Sequence, residues 1–290
     1  MKIMRFKTVS GPKLGVLKED MVVDLKSIDN RFSDELIAVL ENDDGLKTIR
    51  KMVEGASVKD CIPLDSLIFE TPIEWPRRIL CLGLNYIDHV NESAFERQTV
   101  PTVFTRTPTS LVAHKEPLMR PAASEKFDYE AELAVVIARP LRAASTEQAL
   151  DAIAGYTCCN DGSVRDYQHN TVQWTMGKNF DRSGSIGPWI VTSDELPRGA
   201  DGLNIQCRLN GTVMQSSNTA NMIFKVAETL SYLSIAMTLL PGDIVVTGTP
   251  QGVGHARKPP VWMHKGDTVE VEVEGIGILT NAIIDETSIH

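Results

Sequence analysis

Two kinds of hydrophobic spacing run along this chain and divide it into elements. Near the start, short apolar clusters at residues 3–9, 14–17 and 21–25 read as strands, the first two around the turn Ser10-Gly11-Pro12-Lys13. Helical spacing follows at 32–41, where Leu36, Ile37, Val39 and Leu40 form a stripe behind Ser33 and Asp34, and again at 45–53. Pro63, Pro72 and Pro76 then punctuate a segment with few helix signals, and a domain boundary is expected there. The expected division is a small N-terminal α/β domain over 1–72 and a larger domain over 73–290. In the larger part, strands are predicted at 78–84, 129–138, 155–159, 243–247 and 267–274, with a hairpin partner at 278–284. Short helices are predicted at 85–91 and 146–153, and a long one at 221–239 that Pro241-Gly242 stops. Alternating βαβα units are missing, which disfavours a doubly wound sheet. The pattern fits a β-rich α+β fold with a mixed or antiparallel core.

Two of these strands differ in a way that bears on chemistry. The run Val269-Glu270-Val271-Glu272-Val273-Glu274 alternates strictly, as a half-exposed strand does. In Asp128-Tyr129-Glu130-Ala131-Glu132-Leu133-Ala134-Val135-Val136-Ile137, the face that starts with Glu130 and Glu132 continues with Ala134 and Val136. That face is expected to be buried, and two buried carboxylates need a cation or protons. A third carboxylate, Asp161, ends the strand predicted at 155–159, although Asp161-Gly162 also reads as an ordinary Asx turn. Three carboxylates without a His or Cys cluster select a hard divalent cation: Mg²⁺, Mn²⁺ or Ca²⁺ rather than zinc.

Further candidates surround this motif. On a helix at 85–91 and beyond, His89 and Glu92 would be i and i+3 neighbours, and a carboxylate beside an imidazole raises its basicity. Lys178 stands alone among apolar and small residues in Trp174-Thr175-Met176-Gly177-Lys178, placed to stabilise an oxyanion or enolate unless it snorkels to solvent. The loop Thr247-Gly248-Thr249-Pro250-Gln251-Gly252-Val253-Gly254 lacks the registers of a P-loop or dinucleotide fold, which rejects nucleotide binding. Its amides and Thr249 suit a substrate carboxylate.

Composition narrows the functional classes. A net charge of −9 in 290 residues argues against nucleic acid or an anionic membrane as partner. The first twenty residues show no signal-peptide core and no run approaches a membrane span, so a cytoplasmic protein is expected. The five cysteines include no CxxC and read as small hydrophobes in a reducing compartment.

Taken in order, these motifs resemble the fumarylacetoacetate hydrolase family over roughly residues 77–285. The resemblance rests on Gly83-Leu84-Asn85-Tyr86 through His89, Asp128-Tyr129-Glu130-Ala131-Glu132, and Gly155-Tyr156-Thr157 through Asn160-Asp161. It continues in Arg165-Asp166, Gly177-Lys178, Met222-Ile223-Phe224, and Leu240-Pro241-Gly242-Asp243 leading to Thr247-Gly248-Thr249-Pro250. It implies a β-roll or β-sandwich core with flanking helices, one divalent cation (usually Mg²⁺ or Mn²⁺) and a homodimer. By position, Glu130, Glu132 and Asp161 look like metal ligands, and His89 with Glu92 like the water-activating pair. Lys178 looks like the cation facing substrate oxygens. Arg165, Gln168, Thr249 and Arg106 look like substrate-binding residues. Two departures stand out: Arg106 where many relatives have Lys, and Gly162 where a β-branched residue is frequent, which would loosen the turn holding Asp161. The implied reaction is metal-dependent hydrolysis of a C–C bond in a 2,4-diketo acid or acylpyruvate, giving pyruvate and a carboxylic acid. Decarboxylation of an oxaloacetate-type acid and isomerisation of a keto-diacid share the same enolate. A small-molecule-binding scaffold without catalysis is the reading from another class.

Overall fold

The computed structural model describes residues 1–57, 61–88 and 98–287. Its largest sheet contains a path of ten hydrogen-bonded strands. The order is Cys61–Pro63, Met21–Asp24, Gly11–Lys18, Lys2–Thr8, Gly184–Thr192, Ile153–Asn160, Ala131–Ile137, Ile244–Val246, Ile79–Gly83, Thr102–Arg106. Pairing along this path is antiparallel except where Ile244–Val246 runs parallel to Ile79–Gly83. A second sheet orders Thr212–Asn218, Asn204–Leu209, Thr268–Val273, Gly277–Asp285 and Leu118–Arg120. The two sheets share an apolar core, as the β-sandwich expectation requires.

The strand Ala131–Ile137 lies at the centre of this arrangement and is buried along its whole length. Strand alternation sends its side chains two ways. Leu133, Val135 and Ile137 join Ile205, Cys207, Val269, Val271 and Leu279 between the sheets. Ala134 and Val136 join Ile3, Leu14, Val16, Leu36, Val39 and Ile49 on the opposite face. The N-terminal strands and helices therefore cover the face that carries Glu132. They also extend the main sheet, with Lys2 opposite Val191 and Ile3 opposite Ile190.

Most predicted elements recur with shifted ends. The hairpin at 267–284 forms with Thr268 opposite Ala282 and Val273 opposite Gly277. The helix predicted at 146–153 is Thr146–Asp151, begun by a Ser145–Gln148 capping box. The long helix is shorter than its apolar spacing suggests, Val226–Ala236. Its expected first turn is held elsewhere: Ile223 N donates to Asn85 O, and Asn85 Nδ2 donates to Phe224 O. Asn85 and Tyr86 are likewise not helical, Tyr86 forming a bridge with Met222. Among the described residues, no helix is long and apolar enough to cross a membrane.

Candidate metal centre and active site

Sheet register builds the acidic site. Ala131 pairs with Asn160 at the end of the two central strands, which places the next residues, Glu130 and Asp161, side by side. Asp161 N donates to Glu130 O at 2.9 Å, and Glu130 N donates to Asn160 Oδ1 at 3.0 Å. Glu132 stands two residues along the same face. One carboxylate oxygen from each of Glu130, Glu132 and Asp161 lies within 4.8 Å of the others, and all three residues are buried.

Lys178 closes this group from the helix Thr175–Lys178. Its Nζ lies 2.7 Å from Glu130 Oε2 and 2.6 Å from Asp161 Oδ2, with the side chain only 2% exposed. Gly177 lets that helix approach: a Cβ there would sit 2.4 Å from Gln168 N. Burial disfavours charge on Lys178, but Asp161 and Glu130 outweigh it and raise its pKa. Glu132 shifts upward too, first because it is buried and then because Asp161 and Glu130 repel a third negative charge. Its Oε2 accepts from Gly248 N at 2.5 Å.

A second layer of charge fixes these carboxylates. Arg106 donates to Asp161 Oδ1 at 2.5 Å, to Gly162 O, to Ser183 Oγ and to both oxygens of Ser110. All of its guanidinium donors are thereby committed to the protein. Arg165 bridges Asp128 and Glu130, each at 2.7 Å. Asp128 also accepts from Gly254 N and His255 N, at 2.8 and 2.9 Å. Four buried carboxyl groups (Asp128, Glu130, Glu132, Asp161) thus face three buried cations (Arg106, Arg165, Lys178). With all four carboxyl groups ionised the excess is one acidic charge, which a divalent cation would turn into a one-charge basic excess, the sign an anionic substrate needs. Hard oxygen donors, depth and charge all fit Mg²⁺ or Mn²⁺.

Residues 78–284 match the model of the fumarylacetoacetate (FAA) hydrolase C-terminal family. The chain belongs to the fumarylacetoacetate hydrolase family. Its relatives include the human protein "Oxaloacetate tautomerase FAHD2B, mitochondrial", 34% identical over 290 residues, with 98% of this chain and 92% of that protein covered. Among solved structures it is similar to a fumarylacetoacetate hydrolase from Exiguobacterium antarcticum, with a TM-score of 0.84 and 34% identity over 99% of this chain and 100% of that one. It is also similar to maleylpyruvate hydrolase from Sphingobium sp. SYK-6, solved with a manganese (II) ion and pyruvate. That TM-score is 0.82 at 27% identity, over 99% of this chain and 100% of the other.

A cavity opens over the acidic group of this family member. Glu130, Glu132, Lys178, Arg165, Gln168 and Thr249 line it, with Phe104 and Trp174 as an aromatic wall. Gly83 makes room for that wall, since a Cβ there would meet the Trp174 ring at 2.1 Å. Arg165 reaches the cavity with Nη2 buried and lacking a hydrogen-bond partner. Gln168 Oε1 accepts from Arg165 Nη1 at 2.8 Å, which leaves its Nε2 as a donor. Thr249 is differently placed from expectation. Its hydroxyl donates to Ala131 O and accepts from Gln215 Nε2, so the proton is committed to the protein. The glycine-rich loop directs Gly248 N and Gly254 N at Glu132 and Asp128, the protein's own carboxylates. Arg106, expected at the substrate, stands behind Asp161, and the cavity is lined without it. His89 and Glu92 lie outside the described residues.

The turn after Asp161 is tight rather than loosened by Gly162. A Cβ on Gly162 would lie 1.9 Å from Ser183 O, so this packing admits only glycine. Sequence reasoning missed His169 and His255, which line the same cavity with ring centroids 5.3 Å apart. They are distant in sequence and share no spacing pattern, so only the fold brings them together. All five cysteines are free, and four are buried.

Proposed function

We propose that this protein is a divalent-cation-dependent enzyme that acts on a 2-oxo acid through its enolate, with keto–enol tautomerisation of an oxaloacetate-type diacid as its reaction. The observation that carries the reading is the buried group of Glu130, Glu132 and Asp161, clamped by Lys178 and opening into a cavity with an unpartnered Arg165 donor. Relatives covering nearly the whole chain that are named oxaloacetate tautomerases favour this reaction.

Glu130, Glu132 and Asp161 would hold the cation, Mg²⁺ or Mn²⁺, which supplies Lewis-acid stabilisation of charge on the 2-oxo group. Lys178 stays protonated between Glu130 and Asp161 and presents fixed positive charge where the enolate oxygen develops. Arg165 Nη2 and Gln168 Nε2 orient the substrate carboxylate, while Asp128 and Glu130 hold Arg165 in place. His89, oriented by Glu92, is the proposed base that takes the C3 proton toward the enol and gives one back to C3 toward the keto form, while the 2-oxygen gains or loses its proton to solvent. Arg106 serves by fixing Asp161 rather than by touching substrate.

Hydrolysis of an acylpyruvate is the second reading, favoured by the likeness to a maleylpyruvate hydrolase solved with manganese (II) and pyruvate. Here the same histidine would activate water against the 4-carbonyl, and cleavage would leave a pyruvate enolate beside Lys178. The expected assembly is a homodimer in a reducing compartment. The enol-to-keto conversion of oxaloacetate, followed by ultraviolet absorbance with Mn²⁺, separates the readings when set beside pyruvate release from acetylpyruvate. Oxaloacetate tautomerisation is expected to exceed acetylpyruvate cleavage and to vanish in Glu132→Ala. Pyruvate release without accelerated tautomerisation replaces the first reading with the second.

A further inference from the structure

His169 and His255 sit at the exposed mouth of the cavity whose floor is the buried acidic group. Their rings are 5.3 Å apart by centroid and tilted by 36°. The Trp262 ring lies beside His255, 6.0 Å away by centroid. Resting on the reading above, in which a 2-oxo acid places its chelating end on the acidic floor, we infer that His169 and His255 form the subsite that recognises a carboxylate at the substrate's other end.

Three observations lead there. First, one buried group ties together the two backbone segments that carry the rings. Asp128 accepts from His255 N and Gly254 N on one side and from Arg165 Nε on the other, and Arg165 opens the helix Arg165–His169 that ends at His169. Gly254 has no room for a side chain, since a Cβ would stand 1.9 Å from Val261 O, so the backbone entering His255 packs closely against Val261. The segments bearing the two imidazoles thus share one buried carboxylate as a brace.

Second, the cavity's other cations are already matched. Lys178 is paired with Glu130 and Asp161, and Arg165 with Asp128 and Glu130, leaving Arg165 only its Nη2. A second anionic group entering the mouth therefore meets two imidazoles as its main new donors. Third, the local potential selects an anion over a metal ion. Burial and then the Arg165 charge lower the pKa of both rings, and the Arg165 contribution marks a positive potential at the rim. That potential repels a cation and attracts a carboxylate.

The test compares ligands that differ only at the tip, bound to the Mn²⁺-loaded full chain by calorimetry. The pairs are oxaloacetate against 2-oxobutanoate and 2-oxoglutarate against 2-oxopentanoate, with oxalate reporting the chelating end alone. Wild type should prefer the diacid in at least one pair. The His169→Leu/His255→Leu double variant should lose about tenfold or more in affinity for that diacid, on the scale of a lost hydrogen bond to a charged group. Its affinities for the matched monoacid and for oxalate should stay within about twofold on the same scale. Gln at both positions should restore part of the preference by returning N–H donors. Equal losses for diacid and monoacid, no loss at all, or a wild type without tip preference overturns the histidine subsite while leaving the metal-site reading intact. Failure of oxalate to bind Mn²⁺-loaded wild type overturns that reading, and the subsite falls with it.

Discussion

Glu132 accepts a hydrogen bond from Gly248 N and shares a buried pocket with two more carboxylates. Its upward pKa shift has a definite consequence for stability. A carboxyl group that holds its proton more tightly when folded favours the folded state below its unfolded value, 4.5. That contribution is lost as pH rises through the folded value. In the presence of a chelator, wild type should therefore lose stability relative to Glu132→Gln as pH increases from 5 to 8, in thermal melts run side by side. Wild type that holds or gains stability relative to Glu132→Gln as pH rises contradicts the assignment. Sequence alone identified this residue because Ala134 and Val136 continue its face with apolar side chains, unlike the alternating strand at 269–274. It did not identify the work of Arg106, because an arginine saturated by Asp161, Ser110, Ser183 and Gly162 looks in sequence like one aimed at substrate. The rim histidines stayed hidden for a different reason: no spacing links His169 to His255, and only the fold brings the two rings together.

At the scale of elements, the acidic site is a product of strand register. The Ala131–Asn160 pair sets Glu130 beside Asp161, and the turn at Gly162 then passes against Ser183. Gly162→Val forces that backbone contact apart and pulls Asp161 away from Arg106 and Lys178. Mn²⁺ affinity should fall by roughly 10- to 100-fold, as for loss of other groups that orient metal ligands, and the melting temperature should fall with it. Unchanged Mn²⁺ affinity in titration would show that the turn does not set the ligand. The strands were readable because apolar runs of limited length bounded by turn residues carry their own signal. The helix expected at 221–239 begins later because the backbone N–H groups of Ile223 and Phe224 bond to Asn85 instead of extending a helical turn.

At the scale of the molecule, the N-terminal residues form part of the setting of the site. Ile3, Leu14 and Val16 share a core with Ala134 and Ile186, and the strand Lys2–Thr8 pairs with Gly184–Thr192. A chain comprising residues 73–290 alone would expose that face. At about 1.5–3 kcal/mol for each fully buried aliphatic side chain, the loss exceeds the net stability of an ordinary domain. Such a truncation should fail to show a cooperative melt by circular dichroism, and a cooperative transition near that of the full chain would establish an independent catalytic domain. Sequence punctuation at Pro63, Pro72 and Pro76 marks a change of local structure, but long-range strand pairing leaves no local signal. Every proposed role in this site depends on Glu130, Glu132 and Asp161 holding one divalent cation. Calorimetric titration of the chelator-treated full chain with Mn²⁺ tests it most directly. One ion bound per chain, with binding abolished in Glu132→Ala and strengthened by oxalate, is the expected result. Absence of binding, or binding that survives Glu132→Ala unchanged, contradicts it.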